Sequence, residues 1–175
     1  MAEVEIHTGH AHEIDDFGRR VGVVVGIIGI VLALATISAH RAHTAAIITR
    51  TEANDKWSFY QAKKEREHLQ DVGAELAEVL SSDAARVRPA LEKFHAEHAR
   101  YQQEAEALNK EARELEDEVK HQERRALWLD LSEGMLELGL VLSSLYFLAK
   151  RRFFPVLGGI AALAGALLAV WGFIV

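Results

Sequence analysis

Residues 21–39 read VGVVVGIIGIVLALATISA, a run of 19 residues without a charged side chain. A helix of that length rises about 30 Å, the thickness of a bilayer's hydrocarbon core. Arg19 and Arg20 precede the run, and His40 and Arg41 follow it, so both ends carry polar anchors. A secretory signal would start with a basic leader and end at a small-residue cleavage site. Here the leader, residues 1–20, is acidic before Arg19, and glycines are spaced along the run. These features point to an uncleaved membrane anchor.

Outward from this run, the other end of the chain repeats the pattern. Residues 155–175, PVLGGIAALAGALLAVWGFIV, form a second uncharged span of crossing length. Residues 128–149 are apolar in their second half, whereas Asp130, Glu133 and Glu137 interrupt the first. The short basic turn at 150–154, with Lys150, Arg151 and Arg152, requires a partner antiparallel to the last helix, so a third span is expected over 128–149. Trp128 and Trp171 would then lie at one interface, with Tyr146, Phe153 and Phe154 near the other. Three crossings place the leader and the basic turn on one side, and the basic flanks Arg19, Arg20 and Lys150 to Arg152 make that side cytoplasmic.

Between the first two spans, residues 40–127 are densely charged. From Leu91, semi-apolar residues recur in steps of three and four: Leu91, Phe94, His98, Tyr101, Ala105, Leu108, Ala112, Leu115, Val119, Gln122, Ala126 and Leu129. This is an a/d heptad seam about five heptads long, the signature of a coiled-coil helix. The upstream half is helical in composition, with Leu69, Val72, Leu76 and Leu80 as its expected seam. Residues 81–89 separate the halves, and Pro89 is expected in the first turn of the second helix, with Arg88 driven out of helical geometry. The expected fold is therefore an all-α integral membrane protein. Three transmembrane helices enclose an antiparallel helical hairpin between the first and second, each arm about 50 Å long.

Bulk composition limits the function classes. Of 175 residues, half are hydrophobic and 26% charged, and the mean hydropathy of +0.01 averages over segregated ends and middle. The absence of cysteine excludes disulfides, thiolate nucleophiles and cysteine metal sites. A formal charge of −6 argues against nucleic acid as a partner, which would favour a basic face.

One decapeptide in the first arm is distinctive: Asn54-Asp55-Lys56-Trp57-Ser58-Phe59-Tyr60-Gln61-Ala62-Lys63. It resembles the Asn-Asp-x-Trp-x-x-Tyr-Gln-Ala-Lys signature of the domain-of-unknown-function 4337 family, as does the order of segments along the chain. The resemblance implies a bacterial envelope protein and brings no activity, cofactor or catalytic residue with it. Trp57 and Tyr60, at i and i+3, share a helix face; they either pack against the second arm or form a partner surface.

Three features bear on function. Gly22, Gly26 and Gly29 in the first span, and Gly158, Gly165 and Gly172 in the last, follow small-residue spacing that lets helix backbones approach. Asp130, Glu133 and Glu137 share one helix face, and Glu137 falls about 14 Å beyond Trp128. They either line an ion or proton path in an oligomer or sit at headgroup level. His7, His10 and His12 form a loose group whose imidazoles suit zinc, nickel or copper, but without the spacing of a structural metal site. No phosphate loop, nucleophile elbow or zinc-protease motif occurs. The expectation is a non-enzymatic membrane protein without a cofactor, homo-oligomeric and structural, acting through its hairpin on itself or on a protein partner. The alternative is an oligomeric ion channel or transport component.

Overall fold

The computed structural model describes residues 16–81 and 83–175, and over these the chain is all helical, with no strand. Helix α1 spans Asp16–Leu80, α2 spans Ala84–Ala149 and α3 spans Phe153–Ile174. Each is long and apolar enough over part of its length to cross a membrane. The His7, His10 and His12 group lies outside the described residues.

The two connections are short and locally determined. Asp83 starts α2 as an N-cap: its Oδ1 accepts from the Ala85 N–H at 3.0 Å, and its carbonyl accepts from the N–H groups of Arg86 and Val87. Helix α2 therefore begins five residues before Pro89, not at it, and Arg88 is helical. The cap fixes the start, and a proline this close to the N-terminus removes only one helical hydrogen bond, the one that would reach back to Ala85. At the other connection Lys150 has φ 53°, and its N–H bonds the Tyr146 carbonyl at 2.8 Å. That left-handed residue ends α2. Pro155 then falls in the first turn of α3, where proline is tolerated.

The chain forms two compact units. The first comprises the chain up to His40 together with Arg125–Val175, and the second is Arg41–Arg124.

In the first unit, segments of α1, α2 and α3 pack around Ile28, Ala35, Leu136 and Ala162, with Val31, Leu32 and Leu140 against them. Helices α2 and α3 meet backbone to backbone. A Cβ built on Gly139 would sit 2.8 Å from the Gly158 carbonyl oxygen, and one built on Gly158 would sit 2.6 Å from that of Gly139. Ser132 and Ser143 are fully buried on α2, beside Gly165 and Gly158 respectively. Large side chains point outward instead, among them Ile30, Leu34, Val141, Ile160, Leu163 and Leu167. Branched residues such as Ile28, Leu129 and Leu136 are buried too, but an outside made so largely of isoleucine, leucine and valine inverts the usual surface of a water-soluble bundle. Tyr146 packs inward rather than outward. It is 2% exposed, with its ring edge-on to Phe17 at 5.0 Å, a favourable geometry for an aromatic pair.

The second unit is an antiparallel hairpin. On α2 the heptad seam faces inward: Ala105, Ala112 and Val119 are buried, while Leu91, Phe94, His98, Tyr101, Leu108 and Leu115 are half-buried. The seam of α1 is not the expected one. Leu69, Val72, Leu76 and Leu80 are exposed, Leu76 at 52% and Leu80 at 80%. Ala42, Ala46, Ala53, Glu67 and Ala74 are buried in their place. Small residues on α1 make room for large ones on α2, most plainly at Gly73, where an added Cβ would come within 2.8 Å of the Phe94 ring. Exposing Ala53 and Ala74 to bury Leu76 would turn α1 by roughly 200°, two residues at about 100° each, and would break the polar bridges described next.

Candidate functional site: a polar ladder, an acidic face and glycine contacts

Basic and aromatic groups of α1 face carboxylates of α2 along the hairpin. Arg50 pairs with Glu123, Lys56 with Glu111 at 2.5 Å, and Lys63 with Glu104. The Trp57 indole N–H donates to Glu116 at 2.9 Å. Arg50 and Trp57 are seven residues apart, as are Lys56 and Lys63; on α2, Glu104 and Glu111, and Glu116 and Glu123, repeat at the same interval. Heptad geometry returns each pair to the flank of the seam, so the bridges recur as rungs. The acidic half of this pattern was open to sequence reasoning, since the sevenfold spacing of those glutamates is visible without a structure.

The distinctive decapeptide supplies three of these rungs. Trp57 also sits edge-on to Tyr60 at 5.5 Å. Lys63 lies 5.4 Å from the Tyr101 ring centroid, and Arg100 lies 4.7 Å from it, so Tyr101 is ringed by cations. Further toward the turn, Glu67 is 8% exposed and receives both hydrogen bonds of Lys64, at 2.8 and 2.7 Å. His98 Nε2 lies 3.5 Å from Glu67 and 3.4 Å from Asp71, which places this seam histidine among carboxylates.

The electrostatics follow from these contacts. The hydrogen bond from Lys63 holds the Glu104 carboxyl below the usual range, and the bond to Glu67 raises the Lys64 ammonium above its usual value. Asp117 and Lys120 shift apart in the same way through their mutual hydrogen bond. Among the described residues no group of three His, Asp or Glu side chains could hold a metal ion.

The acidic face of α2 divides. Glu133 accepts the Thr36 hydroxyl of α1 at 2.7 Å, a partner not anticipated from the sequence. Asp130 and Glu137 are exposed. The three carboxylates therefore do not converge on one point within a single chain.

The glycines divide too. Gly158, Gly165 and Gly172 are buried against α2, with Gly165 facing the Ser132 carbonyl and Leu136, and Gly172 facing Leu129 and Trp128. In α1, Gly26 has open space where a Cβ would go, and Gly22 and Gly29 have room for ordinary contacts with Phe147 and Leu140. The last helix uses its glycines for close backbone packing inside the chain, whereas the first relies on alanines such as Ala35 and leaves its glycines uncrowded.

These features define an all-helical protein with three helices of membrane-crossing length and a charged, laddered hairpin. The chain belongs to the family described as Domain of unknown function (DUF4337), whose model matches residues 17–175. No curated protein and no solved structure gives a significant match.

Proposed function

We propose that this protein is a three-span protein of the bacterial cytoplasmic membrane, and that it works as a non-enzymatic, homo-oligomeric scaffold through its helical hairpin. The observation that carries the reading is the inverted three-helix unit, with glycine, alanine and serine at its helix contacts and isoleucine, leucine and valine on its outside. In water that surface would be a large apolar patch; in lipid it is the ordinary exterior of a helix bundle, and small residues are the ordinary contact. Basic residues support an orientation with the N-terminus and the Lys150–Arg152 turn in the cytoplasm and the hairpin outside. Arg152 stacks 4.9 Å from Phe17, which brings the turn beside the start of α1 within this unit.

The test is extraction and topology. The native chain should stay with membranes through alkaline carbonate and should give a multiple of its 19.5 kDa protein mass in mild detergent. A cysteine introduced in the hairpin should react with an impermeant maleimide added to intact spheroplasts. Release by carbonate, a monomeric mass or a hairpin label that appears only after lysis would each reject the corresponding part.

A second reading rests on Glu137. It is exposed on α2 within the apolar span, where an outward carboxylate needs water, a proton or a polar neighbour. In an oligomer whose α2 faces met, Glu137 and Glu133 would line a cation or proton path. Reconstituted vesicles would carry a flux that Glu137→Gln reduces and Glu137→Leu abolishes; no flux with the unaltered protein removes this reading.

A further inference from the structure

The outward faces of the hairpin's two helices differ in kind. Within Arg41–Arg124, every large apolar side chain left exposed lies on α1 and none on α2. Five of them, Leu69, Val72, Leu76, Val79 and Leu80, form one stripe close to the Ser81–Asp83 connection. Steps of three, four and three separate the first four, which is a/d spacing with leucine at a and valine at d, and Leu80 widens the stripe. The stripe lies on the side of α1 away from the seam formed by Glu67, Ala74 and their neighbours, so the hairpin itself cannot cover it.

We infer that this stripe is a homotypic contact, packed against the same stripe of other copies of this chain with the helices parallel. The inference rests on the scaffold reading above, which supplies the orientation: copies anchored in one bilayer through the same spans run in the same sense. Three observations favour a second copy as the occupant. The outward face of α2 carries groups such as Arg86, Arg88, Lys93 and His95 and, among the described residues, no exposed large apolar side chain, so α2 of a neighbouring copy offers the stripe no match whereas α1 of that copy does. Its flanking positions also suit parallel self-pairing. A residue at g meets the e residue of the next heptad, which within the stripe sets His68 at the level of Gly73 and Glu75 against Leu80, with no like charges opposed; the preceding d position is Glu65, so the contact stops at Leu69. Finally, leucine at a with a β-branched residue at d favours three or four strands over two. The assembly is then a core of α1 helices with the charged α2 arms outside it.

Because the chain has no cysteine, single cysteines report without background. The full-length protein is expressed in membranes with Leu76→Cys or, as a control on the α2 exterior, Ala96→Cys, and is oxidised there. The Leu76→Cys disulfide should form on the order of a hundredfold faster, the advantage that a preformed contact gives through effective concentration. The double variant Leu69→Glu/Leu76→Glu should keep its helical content, since both positions are exposed, and should lose the higher-mass species in mild detergent. If the unaltered protein is oligomeric but Leu76→Cys oxidises no faster than Ala96→Cys, the stripe is not the contact, although the scaffold reading stands. A monomeric unaltered protein removes both. Quenching of a fluorophore at the Leu76→Cys position by brominated lipid would show that the bilayer surface covers the stripe, and would also overturn the inference.

Discussion

Trp57 is anchored by its ring nitrogen as well as by its ring. The indole donates to Glu116 while the ring packs edge-on against Tyr60, so the two roles separate by substitution. Trp57→Phe keeps an aromatic ring and loses the hydrogen bond, which should lower stability by about 1 kcal/mol; Trp57→Ala should cost about 2–3 kcal/mol. Thermal unfolding of the full chain in detergent checks both, and an unchanged midpoint would mean that the ring serves a partner rather than the hairpin. Glycine gives a sharper contrast. Gly158→Ala drives a methyl group toward the Gly139 carbonyl and Ser143 backbone, so it should destabilise by about 1–3 kcal/mol. Gly26→Ala meets open space and should be neutral or stabilising by up to about 1 kcal/mol. Equal effects in the same melts would contradict the packing of α2 on α3. Sequence spacing showed both stripes but not this difference, because it depends on which helix lies opposite.

At the scale of the element, the hairpin shows how much a heptad pattern can tell. The α2 seam was legible because its large residues and its inward face coincide. On α1 they do not: Leu69, Val72, Leu76 and Leu80 look like a seam, yet alanines are buried and the leucines are exposed. Hydrophobic periodicity finds the stripe but cannot say which partner covers it. Two stripes on one helix need a structure to be told apart. The polar ladder adds a pH signature. Glu104 has its carboxyl lowered by Lys63, so its contribution is present above the usual value of 4.5 and is lost as pH falls through the lower folded value. Lys64 is raised by Glu67, so its contribution is present below the usual 10.5 and is lost as pH rises through the higher folded value. These two pairs should therefore make hairpin stability fall in acid below about 4.5, and again in strong alkali. Both groups lie at the surface, so salt should blunt the effect. Lys63→Met should remove much of the acid limb in chemical denaturation series at several pH values; an unchanged limb would assign it to other carboxylates.

At the scale of the whole molecule, the all-helical class and the order of the long helices over the described residues could be read from charge segregation, heptad spacing and apolar run length. Start points such as Asp83 could not, because a side-chain cap outweighs the nearby Pro89 in setting where the helix begins. Membrane and assembly behaviour are separable by experiment. Variants at Leu69 and Leu76 should change mass without changing carbonate resistance. Variants in the α2–α3 glycine contacts should lower stability before they change mass. A single variant that abolished membrane retention and assembly together would argue that one surface does both jobs.

The rungs of the ladder also have a metrical consequence. Since Arg50 and Trp57, Lys56 and Lys63, and their glutamate partners all repeat at seven residues, the two arms behave like commensurate scales. Adding or removing a heptad in both arms would restore every pairing type and change the hairpin's length by about 10 Å. A change of three or four residues would instead rotate one arm's charges away from the other's. The repeat therefore leaves sliding alignments nearly degenerate, and the unique alignment must come from features that occur once: Phe94 over Gly73, Glu67 with its Lys64 and His98 neighbours, and the tight Ser81–Asp83 connection. Reach can vary by whole steps while those fixed marks hold the zero of the scale.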